Sequence, residues 1–346
     1  MSKKVTIKDV AVAAGVSHQT VSRVMNDRPD VAKETRRRVL QVIEELDYQP
    51  SAIARSLSRQ HSQTLGVVTA GLKYIGPSRT LNGITEQAEE LGYGLLLKEL
   101  PSFNTNDNKP ILNFLISRQV DGIIWAVAEI GKNHEQLQQL HKEISIPMVF
   151  LTMSTREDMF IVAVDNYLGG WKATEHLLEQ GCRNIGHVSG PLSWWESRQR
   201  KSGWHDALLE AGIPAEVHHS EEGDWSSASG QHAMAQILKN FPQMDAVFIA
   251  NDQMALGALQ LVCQNEIKVP DDIAVVGFDN LPESQYFWPP LTTVRQNLRQ
   301  LGSTAVSELV RIIDANRMDH EVLQPQVVTL CPELVVRKSS IKNPSA

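Results

Sequence analysis

The stretch GVSHQTVSRVMN at residues 15–26 sets four hydrogen-bonding side chains in a row, Ser17, His18, Gln19 and Thr20, just before the apolar pair Val21 and Val24. At a helix start, Ser17 can cap free N–H groups or meet a phosphate, because a helix N-terminus is an anion site. His18 and Gln19 would project outward. A glutamine can bond an adenine edge through two hydrogen bonds, and Arg23, on the same face, can do so with guanine. A second concentration of chemistry is aromatic. Of seven tryptophans, Trp194, Trp195, Trp204 and Trp225 gather in one part of the chain. A Trp ring stacks on the apolar face of a sugar while an acid, an amide and an arginine fork onto its hydroxyls. Trp204, inside SGWHDALL, reads instead as core, and the Trp194/Trp195 pair as split, one ring inward and one partly exposed. Enzyme signatures do not appear. No G-x-G-x-x-G follows a strand and no G-x-x-x-x-G-K-[ST] or G-x-S-x-G occurs. No His/Cys/acid run has metal-ligand spacing, so neither a metal nor a cofactor is expected.

These side chains need elements to hold them. Thr6 followed by Asp9 marks a helix start, a threonine capping free N–H groups with an acid in the first turn. Val10, Ala11 and Ala14 make its buried face, Gly15 ends it, and Ser17 opens the next helix. Two short helices joined by a glycine turn form a helix-turn-helix, whose second helix enters the DNA major groove. ETRRRVLQVIEELDY supplies a third helix with Val39, Leu40, Val42, Ile43 and Leu46 apolar. Charge agrees with this division. Residues 1–60 carry 11 Lys/Arg against 7 Asp/Glu, and the remainder 22 against 33, a basic head on an acidic body. Beyond it, short Val/Ile-rich strands such as TLGVVT, VDGIIWAV and IPMVFLTM alternate with amphipathic helices, the pattern of parallel sheets covered on both faces. A second such set begins after Asp165. Two doubly wound lobes make a cleft at the carboxyl ends of their strands. No run of about 18 apolar residues suggests a membrane span, the first residues lack a secretory pattern, and three scattered cysteines suit a reducing cytosol.

TIKDVAVAAGVSHQTVSRVMN, continued by ETRRRVLQVIEELDYQPSAIARSLSRQ, closely resembles the head of the LacI/GalR family of bacterial repressors, with motif order and spacing both in agreement. Ala32 departs from the family's usual serine cap on the third helix. GPLSWWESRQRKSGWHDAL, EGDWSSASG, ANDQMALGAL, VVGFDN and PPLTTVRQNLRQLG resemble the effector core of the same family, nearer its lactose-repressor branch than its purine-repressor branch. The resemblance implies an all-α helix-turn-helix head (1–49), a hinge segment (50–62), and a two-lobed periplasmic-binding-protein-like α/β core. One lobe would comprise 63–163 and 296–325, the other 164–295 and 326–340, with a polar tail at 341–346. It further implies DNA contacts from Thr6, Ser17, His18, Gln19, Thr20, Ser22, Arg23 and Asn26, with Arg55 on phosphate and Leu57 wedged into the minor groove.

For the core, the resemblance implies that Arg200, Asn251 and Asp279 bond sugar hydroxyls, that Trp225 stacks, and that Gln296 sits at a crossover. Ala70, Tyr74 and Gly76 would line the cleft mouth. Thr152 stands where an acid is expected and Val164 where an aromatic is expected, while Trp194 and Trp195 add bulk. These departures leave a β-galactoside and other β-glycosides equally open. Asn251 can equally cap the helix QMALGAL, and Asp279 the turn after its strand. The chain is therefore expected to be a cytoplasmic, nucleoid-associated homodimer that binds a pseudo-palindromic double-stranded operator and is released by a small carbohydrate. Alternatives are a corepressor-activated regulator and a carbohydrate receptor with no DNA function.

Overall fold

The computed structural model describes residues 5–25, 28–48, 61–103, 107–130, 133–317 and 323–342. Asn26, Arg55 and Leu57, and most of the hinge segment, lie outside the described residues. The chain divides into two units at Gln63/Thr64.

Among the described residues, the first unit holds three helices: α1 (Ile7–Ala14), α2 (His18–Met25) and α3 (Lys33–Glu45). Thr6 donates its N–H and hydroxyl to the Asp9 carboxylate at 2.8 and 2.7 Å, so the box at the start of α1 is closed through the acid. Gly15 ends α1 in the left-handed region at φ 63°. Val10, Ala11, Ala14, Val21, Val24, Val39 and Val42 form the buried core. Leu40, apolar like its neighbours, is half exposed, one position away from the buried Val39. Ala32 precedes α3 without a side-chain cap.

The second unit contains two six-stranded sheets. Strands β1 (Thr64–Ala70), β2 (Gly94–Leu100), β3 (Gly122–Ala126), β4 (Met148–Leu151), β5 (Phe160–Val164) and β11 (Val327–Leu330) run parallel in the order β11-β5-β4-β3-β1-β2. The second sheet has the order β12-β10-β9-β8-β6-β7, from β6 (Ile185–Ser189), β7 (Ser220–Glu222), β8 (Ala246–Ile249), β9 (Ala274–Phe278), β10 (Thr292–Arg295) and β12 (Glu333–Val335). Only β12 is antiparallel, on β10. Alternation sends successive residues to opposite faces. Met148 and Phe150 enter one core while Val149 and Leu151 enter the other. In the second lobe, Val247 and Ile249 part in the same way from Ala246 and Phe248.

Helices cover both faces. In the first lobe these include α4 (Ile75–Glu90), α5 (Lys109–Ser117), α6 (Asn133–Glu143) and α11 (Leu298–Arg317); in the second, α7 (Asn166–Glu179), α8 (Trp195–Glu210), α9 (Ser227–Asn240) and α10 (Asp252–Gln264). Glycines let α7 and α8 approach closely. A Cβ on Gly170 would lie 2.2 Å from the Arg200 carbonyl oxygen, and one on Gly203 would lie 2.1 Å from that of Tyr167. The chain crosses between lobes after β5, after β10 and between β11 and β12. Residues 326–330 were expected in the second lobe. They lie in the first because β11 pairs with β5 in register, Val327 against Ile161 to Leu330 against Val164.

Candidate effector cleft and DNA-reading helix

On α2 the buried side is Val21 and Val24, and Ser17, His18, Gln19 and Arg23 are all exposed. Thr20 and Ser22 are half-buried, and Thr6, before α1, is exposed. Ser17 caps the helix, its hydroxyl accepting the Thr20 N–H at 3.1 Å. Arg23 pairs with Asp30 at 3.4 Å, both well exposed; such a pair is weak and leaves the guanidinium available. The helix thus presents a cap, an imidazole, an amide and a guanidinium to solvent.

In the second unit, a cleft of about 850 Å³, mouth included, lies between the lobes. Its walls come from segments just past strand carboxyl ends. Tyr74 and Gly76 follow β1, Thr152 follows β4, and Asn166 follows β5. In the other lobe Trp194, Glu196 and Arg200 follow β6, Trp225 follows β7, Asn251 follows β8, Asp279 follows β9 and Gln296 follows β10. Eight residues expected in the effector site are therefore brought together: Tyr74, Thr152, Trp194, Arg200, Trp225, Asn251, Asp279 and Gln296. Two are not. Ala70 is the last residue of β1, and strand alternation turns it with Val68 into the first lobe's core. Trp195 is next to Trp194 on a helix start, where one residue is a rotation of about 100°; its ring packs against the first lobe's core instead. Trp204 is core, as expected, with its indole N–H on the Ile185 carbonyl at 3.2 Å.

Arg200 is the centre of the site. It is 5% exposed and donates to the Asn166 amide oxygen at 2.9 Å and to the Ala250 carbonyl. Its guanidinium lies 3.8 Å from the Phe278 ring centroid and 3.9 Å from an Asp279 carboxylate oxygen. Asp279 also accepts from the Gln296 amide at 2.5 Å. Burial raises its carboxyl above the ordinary range, against the lowering effect of Arg200. Asn251 is a helix cap that also stands at the cleft wall. Its oxygen caps α10 at the Met254 N–H, 2.8 Å away, and its amide nitrogen holds the Trp225 carbonyl at 3.0 Å, all at the cleft wall. Thr152, Trp225 and Asp279 have φ of 53°, 76° and 110°. Non-glycine residues rarely adopt such angles, at roughly 1–3 kcal/mol each, and they gather at functional sites.

Two lining residues escaped the sequence reading. Asn166 orients Arg200. Glu196 is 8% exposed, and its Oε2 has no hydrogen-bond partner among the described residues. An acid in the first turn of a helix ordinarily signals favourable placement by the dipole, so its sequence position carried no warning. Burial pushes this carboxyl up to about 7, with Glu129 adding to the rise and Arg200 and Arg198 opposing it. The folded state therefore holds a proton that the unfolded state releases near 4.5, and stability is lost as pH rises from 4.5 through 7. Glu196→Gln is expected to raise unfolding free energy at pH 8, by on the order of 3 kcal/mol at most, and to change little at pH 5. Thermal melts at the two pH values check this; an equal gain at both would contradict it.

The lobes also meet through an antiparallel bridge between Ile130 and Trp194, and the Trp195 N–H donates to the Glu129 carbonyl at 3.1 Å. Glu216, His218 and His219 bring possible ligand atoms within 4.8 Å of one another, a metal-sized cluster not anticipated from the sequence. It takes no part in the cleft lining, and His219 stacks on Phe241 at 3.9 Å. No helix among the described residues is long and apolar enough to cross a membrane.

Residues 6–51 match the model of bacterial regulatory proteins of the lacI family, and residues 174–340 match a periplasmic binding protein-like domain. The HTH-type transcriptional repressor PurR of Histophilus somni is 35% identical over 339 residues, covering 96% of this chain and 98% of that protein. PurR of Edwardsiella ictaluri is 36% identical over 341 residues, covering 98% of each. Among solved structures, the lac repressor dimer bound to operator and the anti-inducer ONPF superposes with a TM-score of 0.85 at 32% identity, covering 98% of this chain and 100% of that one. The transcriptional regulator CelR in complex with cellobiose gives 0.71 at 29%, covering 97% and 99%. Both branches of the family thus stand at similar identity, and the choice of effector rests on the cleft itself. The chain belongs to the lacI family of bacterial regulatory proteins, and it is a DNA-binding transcriptional repressor rather than an enzyme.

Proposed function

We propose that this repressor binds a pseudo-palindromic operator as a homodimer and is released from it by a carbohydrate, a β-galactoside or other β-glycoside, held between the lobes. One observation carries the saccharide reading: the rings around the cleft are not arranged as a slot. Tyr74 and Trp194 meet at 79°, and Trp194 and Trp225 at 75°. A planar base needs two roughly parallel apolar walls, whereas a sugar needs one ring face and many polar partners in several planes. Arg200, Asp279, Asn251, Gln296, Asn166 and Gln253 supply those partners. The cellobiose complex of CelR supports the same ligand class. A homodimer is supported by the lac repressor dimer on operator and by two exposed aromatics on the second lobe, Trp288 at 88% and Tyr286 at 81%.

The mechanism is linkage. A sugar contacting both lobes favours one lobe arrangement and operator DNA favours another. Each ligand then weakens the other by the same factor, typically about 5–150-fold. A second reading, a purine that strengthens operator binding, is favoured by the PurR relatives. Gel shifts on DNA upstream of the protein's own gene separate the two. The expected result is a retarded complex dissolved by lactose, cellobiose or a related β-glycoside. A complex indifferent to every saccharide but tightened by hypoxanthine or guanine would replace the sugar reading with the purine one.

A further inference from the structure

The charges of the cleft do not balance. Its lining contains one cation, Arg200, and two acids, Asp279 and Glu196. Arg200 and Asp279 face each other, and the guanidinium is further held by Asn166, the Ala250 carbonyl and the Phe278 ring. Arg79, outside the lining, acts on the same Asp279; within the lining no cation is left over, and the remaining group is an acid. Two buried polar atoms of the lining, Glu196 Oε2 and Trp225 Nε1, have no partner among the described residues. One accepts and the other donates. Ligand hydroxyls can give a proton to the first and take one from the second, whereas an ammonium cannot accept from the indole and a phosphate cannot face the carboxylate without charge repulsion. Phosphate recognition relies on free Arg or Lys side chains or on N–H cradles, and this lining offers no spare cation.

We propose that Glu196 is the specificity-determining residue of the effector site, selecting a neutral, unphosphorylated saccharide and rejecting the phosphorylated form of the same sugar. The inference rests on the saccharide reading above and deepens it. The effector is then a sugar that reaches the protein by an uptake step leaving its hydroxyls unmodified. A repressor with this cleft responds to free glycoside and not to the product of a phosphorylating uptake.

Titration calorimetry on the full chain tests this, with cellobiose and lactose compared with their 6-phosphates, in the wild type and in Glu196→Gln. At pH 8.5, where the buried Glu196 carboxyl has given up its proton, the wild type should bind a neutral disaccharide at least about 100-fold more tightly than its phosphate, since like charges opposed in a desolvated site repel strongly. The glutamine variant, shown to be folded by its thermal melt, should narrow that ratio at least about tenfold by removing the carboxylate. A phosphorylated sugar binding the wild type as well as the neutral one overturns the proposal while leaving the saccharide reading intact. So does an unchanged ratio in the variant. If no saccharide of either kind binds and hypoxanthine or guanine does, the saccharide reading itself falls, and this proposal with it.

Discussion

Replacing Arg200 by alanine is expected to abolish the response to effector and to destabilise the effector unit by about 3–5 kcal/mol, the usual result of removing one partner from a buried ion pair. From the sequence this arginine reads as a ligand contact. Its surroundings give it a structural role as well. The side chain is almost wholly buried, bonded to Asn166 and Ala250, and layered on Phe278. Without it, Asp279 would keep the Gln296 amide but lose its cation, in a place where burial already raises its carboxyl. A second change distinguishes structural from ligand effects. Adding Asp279→Asn to Arg200→Ala should return a large part of the lost stability, because the orphaned charge is gone, while the effector response stays absent. Denaturant unfolding and ligand titration of the two single variants and the double variant make the measurement. An Arg200→Ala protein with a wild-type midpoint and a normal ligand response would remove Arg200 from the centre of the site.

Gly170→Ala is expected to damage the same site from behind. The added Cβ would stand 2.2 Å from the Arg200 carbonyl oxygen and 2.9 Å from its carbon, both backbone atoms that cannot swing aside. Helix α8 has to move away from α7, taking Glu196 and Arg200 with it. A cost of about 3 kcal/mol and a large fall in effector affinity should follow, although Gly170 takes no part in the cleft lining. Gly203→Ala should behave alike, since its Cβ meets the facing Tyr167 carbonyl. Because one displacement makes room for both methyl groups, the double variant should lose less stability than the two single losses together. Thermal melts of the three variants decide it, and additive, sub-kilocalorie effects would show that the helices tolerate separation.

Much of this architecture was legible in the sequence because its causes are local. Thr6, Asp9, Gly15 and Ser17 are start and stop signals that act within one turn, and they bound α1 and α2 where the structure has them. The alternating strands and amphipathic helices announced two doubly wound lobes. Strand carboxyl ends face a cleft in such folds, so Asn251 and Asp279 could be placed at its wall before any coordinates. The errors share a different character. Ala70 ends a strand and Trp195 starts a helix, positions where one step along the chain changes the direction of the side chain.

What the sequence determined by itself, then, was the kind of each element, the helix-turn-helix, the lobed α/β core and the neighbourhood of the effector. Periods of 3.6 and 2 and the chemistry of caps are written into a few adjacent residues. Only the tertiary structure decided that β11 belongs to the first lobe, that Arg200 is a structural pair as well as a candidate ligand contact, and that one oxygen of the buried Glu196 carboxyl has no hydrogen-bond partner among the described residues. Each of those depends on which distant segments meet. Val327 finds its register against Ile161, and an ordinary first-turn glutamate ends with a buried, unpartnered oxygen only once distant segments have packed around it.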